Sequence, residues 1–291
     1  MKKVQIYDTT LRDGTQGEGV SLSLNDKLLI AKRLDGFGID YIEGGWPGSN
    51  PKDLAFFKEA KRMRFQHAKV VAFGSTCRAN SKVANDDNIK ALLEAETKTV
   101  TIFGKSWDFH VKEVLRTSLK ENLRVIRDSV EYLKSKKLEV IYDAEHFFDG
   151  FNENPEYAIQ TVREAARAGA NLICLCDTNG GSLPHQIAIG VKRVRKAVRL
   201  PIGIHCHNDG ELAVANSVTA VEHGAIQVQG TINGYGERCG NTNLTSIMPV
   251  LQIKLKLKVI PEKNLRQLTE LSHYVAEVCN MPIENNQPFT G

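Results

Sequence analysis

The sequence predicts a closed (β/α)8 barrel of the TIM type, an α/β fold, with one extra C-terminal helix. Three observations carry that prediction. Short β-branched runs are followed by amphipathic stretches about twice as long, and the pair repeats eight times. The 291 residues are many for one ordinary domain but typical of a single barrel of this kind. Polar residues gather at the C-terminal ends of the predicted strands, where such barrels build active sites from their βα loops.

The elements follow in strict order. VQIYDTT (4–10) is a strand before a helix near 23–37, and YIEGG (41–45) precedes a helix near 51–65. KVVAFGS (69–75) leads to a helix near 86–96, and TVTIFGK (99–105) to one near 119–137. EVIYDAE (139–145) is paired with 155–169, and LICLCDT (172–178) with 184–199. PIGIHCH (201–207) is paired with 211–223, and IQVQGTI (226–232) with 243–256. Residues 262–279 give a further amphipathic helix, so 1–260 read as the barrel and 261–291 as a C-terminal helix and the start of a linker. An open doubly wound sheet is the competing fold. It wants a Gly-rich turn after the first strand, and TTLRDGTQGEG lacks the G-x-G-x-x-G spacing.

Composition narrows the function classes. Hydrophobic residues are 42% and charged residues 25%, a normal globular balance. No signal peptide precedes the first strand, and no apolar run approaches the ~20 residues of a membrane span. The net charge is +4, and Lys192-Arg193-Val194-Arg195-Lys196 and Lys254–Lys258 alternate with apolar residues. They read as wet faces of secondary elements, not as a nucleic-acid surface. The six cysteines read as reduced, mostly buried thiols of a cytoplasmic protein. Cys174 and Cys176 share one strand face and are expected to pack in the core.

The strand ends carry Asp8, Arg12, Asp13, Glu43, Asp143, Glu145, Asp177, Thr178, His205, His207, Asn208 and Asp209. Asn208 and Asp209 precede a helix and can cap it. Capping does not explain His205 and His207. On a strand their spacing puts both rings on one face, with Cys206 turned away, so they can converge on one cation. Asp13, past the first strand, can close the site from across the barrel. Asn241 and Asn243 are candidates for a weak further ligand, because the last strand adjoins the first in a closed barrel. Two imidazoles and a carboxylate suit several divalent ions, with Mg2+, Mn2+ and Zn2+ all open. A partly open coordination sphere suits chelation of a substrate's carboxylate and carbonyl oxygens, with the metal as a Lewis acid on that carbonyl. Arg12 can place positive charge where an oxyanion develops. Its competing role is a salt bridge with Asp13 or Glu145.

Asp8-Thr9-Thr10-Leu11-Arg12-Asp13-Gly14-Thr15-Gln16 resembles the D-x-T-L-R-D-G-x-Q start of the metal-dependent 2-oxo-acid condensing enzymes. That family holds the 2-isopropylmalate, homocitrate and citramalate synthases, with 3-hydroxy-3-methylglutaryl-CoA lyase as a relative. His205–Asp209 matches its H-x-H-N-D, Gly234–Asn241 its G-x-G-E-R-x-G-N, and the CDTNG of Cys176–Gly180 its strand-6 segment. The resemblance spans the whole chain. It implies that Asp13, His205 and His207 are the metal ligands, with Asn241 close by. Arg12 and Glu145 would be catalytic, Arg12 stabilising an oxyanion, and Glu145 and Thr178 would position substrate. Asp143 shares a strand face with Glu145 and is expected to face the pocket; a structural partnership with a neighbouring strand is the other reading. The implied reaction is a Claisen condensation with acetyl-CoA, in amino-acid biosynthesis of the leucine or isoleucine type, by a cytoplasmic homodimer.

Within the family, Glu43–Asp53 and Tyr142–Gly150 look like the citramalate synthases, which use pyruvate. Trp46 is expected to restrict the pocket to a methyl group. The GERCGN loop lacks the Cys-Pro of the lyases, so Cys239 is expected to be a non-catalytic thiol. A biotin-dependent carboxyltransferase would place a Lys on the sixth strand, and LICLCDT has none. Full-length members continue into a helical subdomain, so the chain is expected to be a fragment that binds metal and 2-oxo acid but turns over poorly.

Overall fold

The computed structural model describes residues 3–291. The chain alternates β1 (Gln5–Asp8), α1 (Leu24–Phe37), β2 (Tyr41–Gly45), α2 (Pro51–Ala60), β3 (Lys69–Ser75), α3 (Asp87–Glu94), β4 (Thr99–Lys105), α4 (Asp108–Glu113) and α5 (Leu119–Ser135). It continues through β5 (Glu139–Glu145), α6 (Phe147–Glu153), α7 (Pro155–Arg167), β6 (Leu172–Asp177), α8 (Pro184–Ala197), β7 (Ile202–Cys206), α9 (Ala213–Glu222), β8 (Gln227–Gly230), α10 (Leu244–Pro249), α11 (Glu262–Leu265) and α12 (Leu268–Val278). The strands pair in parallel and in sequence order, and β8 returns to β1 to close the barrel. An open sheet is thereby excluded.

Strand alternation decides which residues reach the interior. On β5, Val140, Tyr142 and Ala144 pack outward under the helices, which turns Asp143 and Glu145 inward. On β7, Ile204 and Cys206 pack outward, which turns His205 inward and leaves His207 in the same phase. A slip of one residue would bury two imidazoles beneath the helices and turn Ile204 out of its apolar packing toward the polar rim, where much of the roughly 1.5–3 kcal/mol from its burial is forfeited. The inward apolar set, Tyr7, Tyr41, Val71, Ile141, Leu172, Cys174 and Cys176, fills the barrel below the rim. The C-x-C pair is core packing, as expected. All six cysteines are free thiols, and only Cys239 is exposed.

Several boundaries differ from the sequence expectation. β1 stops at Asp8, whose carboxylate accepts the Thr10 backbone N–H at 3.0 Å and starts a turn. The helix expected over 243–256 ends at Pro249 and runs on as a π turn over Val250–Lys254. Proline supplies no backbone N–H, so the regular ladder is interrupted there. The helix expected over 262–279 is divided into α11 and α12. Two short helices, α4 and α6, stand on the loops after β4 and β5 and were too brief to show a period. Lys192, Arg193, Arg195 and Lys196 form the exposed face of α8, with Val191 and Val194 buried beneath them. Among the described residues, no helix is long and apolar enough to cross a membrane.

Candidate metal centre and substrate pocket

The turn after β1 delivers Asp13, held where Gly14 N–H donates to Thr9 O at 3.1 Å. β7 delivers His205, and His207 follows just beyond the strand, its N–H donating to Asp177 O at 3.1 Å. Barrel closure brings the three side chains together. His205 Nε2 lies 3.5 Å from Asp13 Oδ2 and 3.4 Å from His207 Nε2. One ligand atom from each residue lies within 4.8 Å of the others, and all three residues are buried.

The electrostatics suit a cation. Burial holds both imidazoles neutral, lowering His205 and pushing His207 down to about 4. Burial alone would raise Asp13, but the Arg12 charge first, then the neighbouring His205 and His207 and the hydrogen bond from Asn241, outweigh it and hold the carboxyl at about 2. Two neutral imidazoles and one carboxylate are the protonation states that ligation requires. The buried Nδ1 of His207 and Oδ1 of Asn241 have no hydrogen-bond partner. Asn241 Nδ2 donates to Asp13 Oδ1 at 3.0 Å and to Tyr235 O at 3.1 Å. This donor set fits a divalent ion. Asn243 does not join it: its Oδ1 caps α10 by accepting the Thr245 N–H at 2.9 Å.

A pocket of about 160 Å3 opens on this cluster. Its lining includes Arg12, Asp143, Glu145 and Thr178, so the expected substrate residues share one cavity with Asp13, His205 and His207, whereas Asn241 does not line it. Gln16, Cys176 and Glu237 also line it, and the rest of the wall is aromatic. Phe73 and Phe103 stack at 5.4 Å, and Trp46 meets them edge-on at 5.8 and 5.5 Å. Arg12 Nε donates to Glu43 Oε1 at 2.6 Å, its Nη1 lies 3.2 Å from Asp13 Oδ2, and its guanidinium sits 3.8 Å from the Phe73 ring centroid. The expected Arg12–Asp13 pair is present. Arg12 does not pair with Glu145, which instead meets Lys105 at 2.5 Å. Thr178 Oγ1 accepts the His146 N–H at 2.8 Å, which leaves its own proton available to the pocket.

The loop from Gly234 to Asn241 folds back on β7, with Asn208 N–H donating to Gly240 O at 2.9 Å. Arg238 in that loop donates through Nε to Asp209 Oδ1 at 2.7 Å and through Nη2 to Thr178 O at 2.7 Å. Asp209 is therefore engaged by Arg238, whereas Asn208 Oδ1 accepts the Ala213 N–H at 3.1 Å at the start of α9. Cys239 does not line the pocket.

Sequence reasoning missed Glu43 as the partner of Arg12, the aromatic pair Phe73 and Phe103, and Gln229. Glu43 and Gln229 are both fully buried polar residues on strands. A polar residue in the inward phase of a barrel strand was the available signal.

The HMGL-like family model matches residues 3–275. The chain is 59% identical over 291 residues to an (R)-citramalate synthase of Aquifex aeolicus (strain VF5), covering 100% of this chain and 55% of that protein. It is 36% identical to a homocitrate synthase, AksA, of Methanopyrus kandleri, over 99% of this chain and 69% of that one. The chain thus spans about half the length (55%) of the first of these relatives. The fold is similar to that of a Bacillus subtilis HMG-CoA lyase, with a TM-score of 0.80 and 21% identity over 98% of this chain and 97% of that one.

Proposed function

The chain belongs to the HMGL-like family, and from that premise we propose that it carries the site for condensing acetyl-CoA with a small 2-oxo acid, pyruvate foremost, to give citramalate. Asp13, His205 and His207 hold a divalent cation in this reading, with Asn241 beside them. The cation supplies Lewis acidity toward the carbonyl of the 2-oxo acid when bound. Arg12 directs its guanidinium into the same pocket and stabilises negative charge developing on that oxygen. Burial between Glu43 and the Phe73 ring fixes the guanidinium, so little reorganisation is needed as charge develops. Glu145 is not engaged by Arg12 and is the lining carboxylate we assign to accept the methyl proton of the thioester. The Thr178 hydroxyl donates to the substrate carboxylate. The new carbon–carbon bond forms from the thioester carbanion to the ketone carbon, the oxyanion takes a proton, and hydrolysis releases the CoA thiol.

The observation that carries this reading is the convergence of the three ligand side chains and Arg12 on one small pocket with an aromatic wall. The (R)-citramalate synthase similarity supports pyruvate as the acceptor. A pocket of about 160 Å3 supports a substrate of few carbons. A cytoplasmic homodimer serving isoleucine or leucine biosynthesis is part of the same proposal; the six free thiols support a reducing compartment. The test is release of CoA thiol from acetyl-CoA with pyruvate, 2-oxobutyrate, 2-oxoisovalerate and 2-oxoglutarate in parallel, with and without EDTA. Slow pyruvate-dependent release, abolished by EDTA, is expected. Preference for 2-oxoisovalerate, or cleavage of a hydroxyacyl-CoA in place of condensation, overturns the proposal.

A further inference from the structure

Gln229 lies on β8 with its side chain inside the barrel, fully buried between His205 on β7 and Asp143 on β5. The two ends of its amide are chemically distinct: Oε1 only accepts and Nε2 only donates. Nε2 donates to Asp143 Oδ1 at 3.1 Å. Oε1 therefore faces the imidazole, 3.1 Å from His205 Nδ1. A neutral imidazole carries one proton, and a carbonyl acceptor at Nδ1 places it there. Nε2 then keeps its lone pair, and Nε2 is the atom that faces Asp13 and His207.

The competing tautomer has a real driving force. With its proton on Nε2, His205 would donate to the Asp13 carboxylate, 3.5 Å away. That bond is charge-assisted, and it would occupy the ligating nitrogen with hydrogen. The 3.1 Å contact to Gln229 is the better geometry and holds the ring the other way. His207 has no equivalent restraint, since its buried Nδ1 is without a partner. The β7–β8 register explains the pairing: His205 and Gln229 are direct neighbours on adjacent strands.

We propose that Gln229, anchored by Asp143, is a positioning residue that fixes the tautomer and ring orientation of His205 and so preforms the cation site. The inference rests on the reading of Asp13, His205 and His207 as cation ligands. It assigns Asp143 a structural part in the site besides lining the pocket. Burial pushes the Asp143 carboxyl up to about 8, so near neutrality it holds a proton on one oxygen while the other accepts from Gln229.

The experiment pairs metal binding with a direct reading of the tautomer. Mn2+ is titrated into the metal-free chain, with free Mn2+ followed by electron paramagnetic resonance, for the wild type, Gln229→Met and Gln229→Glu. Folding of each is checked by circular dichroism, and histidine nitrogen NMR at neutral pH reports which ring nitrogen of His205 is protonated. Gln229→Met removes both contacts and is expected to weaken Mn2+ binding about 10–100-fold and move the proton to Nε2. Gln229→Glu keeps an acceptor toward Nδ1 and can take a hydrogen bond from protonated Asp143, so tautomer and affinity are expected to be retained. A proton on Nε2 in the wild type, or unchanged Mn2+ affinity in a folded Gln229→Met, overturns the proposal. A wild type that shows the Nδ1 proton yet binds no Mn2+ refutes the cation reading itself, and the preforming role with it.

Discussion

Arg12 and Glu43 form a buried ion pair at the barrel mouth, with Nε donating to Oε1 at 2.6 Å and Glu43 fully buried. Glu43 also accepts from Thr9 Oγ1 at 2.6 Å and from the Tyr7 hydroxyl, so both carboxylate oxygens are used. Removing Arg12 leaves a buried anion with hydroxyl partners alone. Arg12→Leu is expected to lower unfolding stability by about 3–5 kcal/mol, read as a fall in the urea midpoint at constant slope. Arg12→Lys is expected to recover only part of it, because an ammonium cannot bridge Glu43 and Asp13 as a planar fork while lying over Phe73. Full recovery by lysine would mean that charge alone matters here.

The loop glycine Gly240 gives a second test. Its φ is +86°, and an added Cβ would stand 1.9 Å from Gly234 O. That oxygen accepts the Asn241 N–H at 3.0 Å, and Asn241 in turn donates to Asp13. Gly240→Ala is expected to cost about 1–3 kcal/mol from backbone conformation alone and to weaken Mn2+ binding through Asp13. Gly36 on α1 is the control, since nothing lies within 4 Å of its added Cβ. Gly36→Ala is expected to raise stability by about 0.5–1 kcal/mol with Mn2+ binding unchanged. Equal melting temperatures for the two variants would contradict this account.

The contrast between these sites shows what the sequence made legible. Alternation along β7 was enough to pair His205 with His207, and the loop position of Asp13 followed from barrel closure. Both depend on period and topology, which a single strand carries in its own residues. Gln229 and Glu43 depend on register between strands, and register decides which inward residues stand at one level of the barrel. His205 pairs with Gln229 and Asp143 with Cys174, relations that no one strand encodes. Phe73 and Phe103 carry no distinguishing signal in the sequence, because an aromatic residue in a strand is equally at home in packing or in a pocket wall. The helix expected over 243–256 runs straight through Pro249, and the π turn beyond that proline depends on packing.

Asp8 sets a pH dependence. Burial, with Glu43 adding to it, outweighs the hydrogen bonds from Thr10 and raises the carboxyl from 3.8 to about 7. Between those values the folded chain holds a proton that the unfolded chain has released. Asp8 thus contributes stability that is fully present below pH ~4 and is lost as pH rises through about 7. The expected result is a difference in stability between the wild type and Asp8→Asn that moves against the wild type across this window, in urea melts with EDTA present. A difference that is flat with pH would show that Asp8 ionises normally.

The aromatic wall bears on substrate choice. Trp46 Nε1 donates to Asn88 Oδ1 at 2.7 Å, and Asn88 Nδ2 donates to Ser75 O at 2.6 Å, so α3 holds the indole against Phe73 and Phe103. If that wall seats the methyl group of pyruvate, shortening it must admit larger acids. Trp46→Leu is expected to shift the ratio of kcat/KM for 2-oxobutyrate over pyruvate upward. One methylene in an apolar pocket is worth about 1–3 kcal/mol, so a change of roughly 10–200-fold bounds the effect. Asn88→Leu leaves the indole N–H without its acceptor and frees the ring, so it is expected to move the ratio the same way by less. Because Asn88 does not line the pocket, a shift in both variants ties selectivity to the orientation of Trp46. A shift in neither assigns selectivity to the stacked phenylalanines.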